Sequence, residues 1–175
     1  SKIERGSFEQ VKSGITGNTK GTLVELAEQL RHITDKDPGV PGVKVSMAKD
    51  GVRLDLETAA LFETGKAKLR RNALSPLRPL FKKILGTKYT LDIEGHTDDL
   101  GLYKKIGEDL ETNWSLSGKR ASSVVNHLIK FGYKDKRLRI VGYAATKPKV
   151  GIFNKRGNSL IKARRENRRV SILVR

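Results

Sequence analysis

The 175-residue chain contains no cysteine, which excludes disulfides, thiolate-held zinc, iron–sulfur clusters and thiol catalysis but leaves reducing and oxidising compartments both open. It has no run of 18 apolar residues, so nothing in it reads as a membrane-spanning helix. It begins Ser1-Lys2 without an initiator Met or a basic-then-apolar signal pattern, and any targeting or anchoring segment is expected upstream. The three histidines, His32, His96 and His127, are dispersed, and His96-Thr97-Asp98 lacks a second ligand cluster, so neither a metal nor a cofactor is expected. Gly-x-Ser-x-Gly, Walker and zincin patterns are all missing, and the Gly-rich stretch 14–22 lacks the Gly-Lys-Ser/Thr ending that cradles phosphates. No enzymatic machinery can be named.

What the chain has is positive charge. Lys and Arg number 36 against 19 Asp and Glu, a formal +17 that favours nucleic acid, an anionic membrane face or another anionic polymer as partner. Residues 147–175 hold ten basic residues and one acid, Glu166, so more than half of the excess lies in one sixth of the chain. Nucleic-acid modules add aromatics that stack on bases, and Phe153 alone lies in this tail, which argues against a nucleic-acid partner. With 37% hydrophobic residues, the length suits one domain with a sizeable core and an extra segment at one end.

Residues 1–21 carry four glycines among scattered apolar residues, which suggests a loosely ordered lead-in. Thr22-Leu23-Val24-Glu25 matches a capping box; Leu23, Leu26, Ala27, Leu30 and Ile33 then recur at helical spacing until Asp37-Pro38-Gly39. Val43, Val45 and Met47, then Val52, Leu54 and Leu56, alternate with polar residues around Lys49-Asp50-Gly51 as in a half-buried hairpin. Leu77, Leu80, Phe81, Ile84 and Leu85 predict a helix, in which Pro76 suits the first turn and Pro79 would cost a hydrogen bond one turn in. Tyr89, Leu91 and Ile93 predict a strand ending in a Gly-His-Thr-Asp-Asp loop, and 100–112 reads as a polar loop. Ser117 is a plausible N-cap for a helix carrying Ala121, Val124, Val125 and Leu128, ending near Phe131-Gly132, with Arg120 in its first turn. A short strand over 138–143, a basic loop, a short helix over 159–166 and a strand over 170–174 follow. Strands alternating with helices predict an α/β fold (an α+β sandwich) with helices packed on one sheet.

Five segments then resemble, in order, the signatures of the OmpA-like peptidoglycan-binding domain. They are Leu61-Phe62-Glu63-Thr64-Gly65-Lys66-Ala67-Lys68-Leu69, Ile93-Glu94-Gly95-His96-Thr97-Asp98-Asp99, Asn113-Trp114-Ser115-Leu116-Ser117-Gly118-Lys119-Arg120-Ala121, Gly142-Tyr143 and Asn167-Arg168-Arg169-Val170. The Asn-Trp-x-Leu-Ser form and the long loop after Thr97-Asp98 are similar to the MotB branch, the stator subunits of flagellar motors. The resemblance implies a periplasmic β-α-β-α-β-α-β domain with a mixed sheet over 42–175, preceded by an N-terminal linker and helical extension over 1–41. The domain would hold the diaminopimelate of peptidoglycan stems without cleaving it. Carried onto this sequence, the gripping pair is Asp98 and Arg120, with Arg168 or Arg169 reaching in; Thr97, Asn113 and Leu116 read as pocket walls, with a loop cap as the alternative for Asn113 and a core position for Leu116, and Asp99 stays open as an alternative to Asp98. The chemistry agrees: a carboxylate takes the ligand ammonium and a planar guanidinium takes its carboxylate bidentately, and helix N–H groups near Ser117 would add an anion preference. The competing reading pairs Asp98 with Arg120 as an ordinary ion pair of little energy. Trp114 reads as a core or pocket-rim aromatic. The implied partners are peptidoglycan, a second copy of the chain, and a MotA-like channel subunit reached through an upstream inner-membrane segment; a stator-like anti-phage subunit, another envelope anchor of OmpA type, a nucleic-acid-binding domain and a hydrolase are the alternatives.

Overall fold

In the computed structural model, the structure describes residues 18–36 and 42–175; residues 1–17 of the expected lead-in and the expected helix stop at 37–39 lie outside it, while residues 18–21, expected to be loosely ordered, belong to a helix. The predicted hairpin is present as β1 (Val43–Ala48) and β2 (Gly51–Glu57), paired antiparallel from Val43↔Leu56 to Ala48↔Gly51. Its alternation puts Leu54 on one face and Arg53 and Asp55 on the other, because successive strand side chains point to opposite faces. The same alternation in β3 (Leu91–His96) and β7 (Arg169–Val174) produces an apolar row, Leu54, Ile172 and Ile93, and a polar row, Asp55, Ser171 and Glu94. With β6 (Leu138–Gly142) parallel to β3, the five-stranded mixed sheet runs β1-β2-β7-β3-β6.

Helices cover the apolar face. α1 (Asn18–Lys36), which lies in the stretch set apart before residue 42, packs on β1, β2 and the helix at Arg78–Leu85, and its Leu26, Ala27 and Leu30 join the same core as Leu54, Ile93 and Ile172. It starts at Asn18, so Thr22 lies inside the helix and does not cap it. The short α2 (Thr58–Leu61) follows β2. A 3₁₀ turn, Ser75–Leu77, leads into α3 (Arg78–Leu85), where Pro79 falls in the first turn. The expected cost is absent there, since a first-turn N–H has no intrahelical acceptor. β3 is followed by a hairpin of β4 (Tyr103–Ile106) and β5 (Asp109–Thr112), turned through Gly107 at φ +61°. That corrects the loop expected over 100–112: β4 is exposed along its whole length, so no apolar alternation marks it.

α4 (Asn113–Phe131) begins a turn earlier than its apolar pattern suggests, because Thr112 and Ser115 form a reciprocal capping box. Ser117 is therefore not the N-cap and Arg120 is not in the first turn, which removes the expected helix-end N–H groups from beside Ser117. Ser117 Oγ donates to the Trp114 carbonyl and accepts from the Ala144 N–H. Gly95 and Gly142 let this helix lie directly on β3 and β6: a Cβ on Gly95 would sit 2.0 Å from the Ser117 carbonyl oxygen, and one on Gly142 would sit 3.0 Å from Ser117 Oγ. Gly132, at φ +125°, closes α4 by donating to the Leu128 carbonyl. α5 (Gly157–Asn167) then leads into β7.

Candidate functional site

Asp98 lies just beyond β3 and Arg120 lies two turns into α4, and the close helix–strand approach at Gly95 brings both to the same end of the sheet. Both are buried, Asp98 to 7% exposure and Arg120 to 4%. They do not bond to each other. Asp98 Oδ1 accepts the Leu100 N–H at 3.0 Å, and its Oδ2 accepts Arg168 Nη1 at 2.5 Å. Arg120 donates through Nε to the Lys66 carbonyl at 2.9 Å and lays its guanidinium over the Phe62 ring, 5.4 Å from the centroid. Among the described residues its terminal N–H groups have no protein acceptor. Burial pushes the Arg120 pKa down, Arg168 adds to that, and Asp98 partly offsets it, so the three charges share one electrostatic neighbourhood.

The other expected residues surround this centre. Thr97 Oγ1 donates to the Asp98 carbonyl, and its N–H donates to Ala144, which fixes the loop to the end of β6. Asn113 Nδ2 donates to the Leu100 carbonyl and ties the start of α4 to the turn after Asp98. Leu116 is buried, at 6% exposure, yet stands outside the main core cluster. Arg168 reaches Asp98, while Arg169, the next residue, lies on the polar face of the sheet beside Asp55, as strand alternation requires when Val170 is in the core. Asp99 is held separately: Arg164 grips it bidentately at 2.9 and 2.8 Å, which lowers its pKa. Trp114 is 56% exposed, so it is not a core residue; it sits on the outer side of the first turn of α4.

Two features went unread in the sequence. The Arg164–Asp99 fork joins residues 65 positions apart, and no local signal announces it. The second is a buried charge network on the polar face of the sheet. Arg53 Nη1 donates to Glu94 at 2.9 and 2.7 Å and to Ser171 Oγ at 2.8 Å, and Ser171 Oγ donates to Asp55 at 2.7 Å. Its signal was available: Asp92, Glu94 and His96 alternate along β3, which places three polar side chains on one face. Among the described residues no group of three or more His, Asp and Glu is arranged to hold a metal, and no helix is long and apolar enough to cross a membrane.

Comparison with known proteins agrees with this architecture. The chain is 36% identical over 128 residues to the uncharacterized protein YtxE of Bacillus subtilis, covering 71% of this chain and 48% of that protein. To motility protein B of Escherichia coli K12 it is 29% identical over 160 residues, 87% of this chain and 49% of that one. It thus spans about half the length of the curated relatives it matches. The crystal structure of a MotB-like protein from Desulfovibrio vulgaris superposes with a TM-score of 0.71 at 19% identity over 98% of each chain, a likeness of fold that includes the N-terminal helix region. The OmpA family pattern matches residues 61–167, which take in Asp98, Arg120 and the strands and helices that hold them, and the chain belongs to the OmpA family.

Proposed function

We propose that residues 42–175 bind peptidoglycan without cleaving it, and that residues 1–41, whose α1 shares the core, lead from this domain towards an upstream inner-membrane segment. The observation that carries the reading is the state of Arg120: a guanidinium 4% exposed, held by one backbone carbonyl, with no carboxylate of its own among the described residues. A buried cation in that state has donors to spare for a ligand carboxylate, and Asp98 close by offers the opposite charge. The diaminopimelate side chain ends in both an ammonium and a carboxylate, so it matches the pair in charge and in order. Thr97, Asn113 and Leu116 would form the walls, and the half-exposed Arg168 would share Asp98 with the ligand ammonium or turn aside.

The likeness to motility protein B supports a finer reading, in which the domain is periplasmic, works as a homodimer and anchors an ion-driven stator beside a MotA-like channel subunit. Co-sedimentation with purified sacculi tests the binding step. Asp98→Asn and Arg120→Gln should each release the protein into the supernatant; retention of both variants at the unsubstituted level rejects the site. Affinity for DNA that falls steeply with salt and is indifferent to Asp98→Asn would favour the nucleic-acid alternative.

A further inference from the structure

The polar face of the sheet, opposite α1, α3 and α4, carries an open groove of about 570 Å³, bordered by the loop after β6 and floored by β1, β2, β3 and β7. The loop is fastened on both sides. Arg169 Nη2 donates to the Lys147 carbonyl at 3.0 Å, Lys149 Nζ lies 2.9 Å from Asp55, and the Asn167 side chain bonds both the N–H and the carbonyl of Val150. His96 is 3% exposed and lines this groove, with its ring stacked on Tyr143 at 5.1 Å. Among the described residues neither His96 nitrogen has a hydrogen-bond partner; Glu94 Oε2 is 3.7 Å from Nε2 and already taken by Arg53. The Nε of Arg169, a residue 8% exposed, is equally unbonded. Buried polar side chains without partners are rare in folded proteins, and His96 and Arg169 place two of them beside one groove.

Charge says what kind of ligand suits it. The groove is lined by four cations, Arg53, Lys147, Lys149 and Arg169, and two anions, Asp55 and Glu94. Arg53 neutralises Glu94, and Lys149 with Arg169 surrounds Asp55, which leaves Lys147 without an ion pair among the described residues; its ammonium rests 5.7 Å from the Tyr143 ring centroid. Four cations against two anions leave two positive charges in excess along this groove. We propose that this groove is a second ligand site, distinct from the Asp98–Arg120 centre, that takes a phosphate group, held by Lys147 and Lys149 at the mouth and by His96 beneath Tyr143. Phosphate suits it better than a monocarboxylate because a doubly charged group balances the excess, and its several oxygens match the number of donors.

The site can be tested with inorganic phosphate and the intact chain. Phosphate added at constant ionic strength should move the His96 ring resonances saturably while those of His32 stay in place. Groups from every neighbouring element face His96 (Glu94 beside it, Arg169 and Asp55 across the sheet, Lys147 and Tyr143 above), so the titration is run at one pH where the imidazole stays neutral. Lys147→Gln, which alters an exposed side chain and keeps the backbone carbonyl that Arg169 uses, should weaken phosphate about tenfold or more and leave sacculus binding unchanged. Two further arms separate the sources of the phosphate. Flotation with phosphatidylglycerol vesicles that is lost in Lys147→Gln would assign a lipid headgroup; no flotation, with free phosphate still bound, would assign a soluble phosphate ester. His96 resonances that ignore phosphate, or that respond identically in Lys147→Gln, overturn the proposal.

Discussion

Replacing Asp98 by Asn separates the binding chemistry from the fold more cleanly than any other single change. Asparagine keeps the shape, and its Oδ1 can still accept the Leu100 N–H, so the turn after β3 should survive. What disappears is one negative charge. Its partner in the free protein is Arg168, whose side chain is 36% exposed, so solvent screens the pair and its loss should cost under about 1 kcal/mol. For a chain of this size that is a fall of about 2–4 °C in melting temperature at most. The charge-assisted bond to a ligand ammonium is a different quantity: removing one partner of such a bond typically costs about 1.5–3 kcal/mol, a loss of about 10- to 150-fold in affinity. A quantitative sacculus-binding isotherm beside a thermal melt reads both numbers. An Arg168→Gln variant and the double variant complete the cycle. If Asp98 acted only by positioning Arg168, the two single variants would bind alike and the double variant no worse. Unchanged binding by Asp98→Asn at an unchanged melting temperature would refute the clamp outright.

Other substitutions probe how the site is held. Gly95→Ala would place a methyl group 2.0 Å from the Ser117 carbonyl, forcing α4 off β3. A loss of about 1–3 kcal/mol in urea unfolding is expected, together with weakened sacculus binding; a neutral result would mean that the helix–strand contact is looser than described. Tyr133→Phe removes the 2.7 Å bond that the Tyr133 hydroxyl donates to the Phe81 carbonyl, a second bond on an oxygen inside α3, and should cost about 0.5–1.5 kcal/mol, read from the same denaturant midpoint. The pH dependence of stability follows from His96, whose pKa burial pushes below the ordinary 6.5, with Arg169 adding to that and Glu94 and Asp55 opposing it. The folded chain then binds fewer protons than the unfolded one, so stability should be level above about pH 6.5 and fall as the pH drops below it. His127, lowered by burial and by Lys130 and Arg78, acts in the same direction. His96→Gln should flatten the part due to His96; a slope between pH 5 and 6.5 unaltered by that change would exclude His96 as its source.

The elements legible in the sequence are those whose periodicity reflects one buried face. Leu54, Ile93 and Ile172 alternate because the sheet has helices on one side, and Val124, Val125 and Leu128 recur because α4 has one buried stripe. Where burial is absent the signal fails, as in β4, or is displaced, as at the start of α4, where the helix is set by a polar capping box one turn ahead of its apolar pattern.

Sequence by itself determined the family signatures, the excess of positive charge and which residue types were available to grip a zwitterion, because these are properties of the chain read locally. The three-dimensional fold decided who pairs with whom. Asp98 and Asp99 are adjacent and chemically alike, yet one meets Arg168 from the end of α5 and the other meets Arg164 one turn earlier. Arg168 and Arg169 are likewise neighbours, yet the first, capping the end of α5, turns to Asp98, and the second, opening β7, turns to Asp55 on the polar face of the sheet. Charge partners across 65 or 70 positions are chosen by where strands and helices bring their ends together, and that placement is set by packing of the whole core, which no short stretch of sequence encodes.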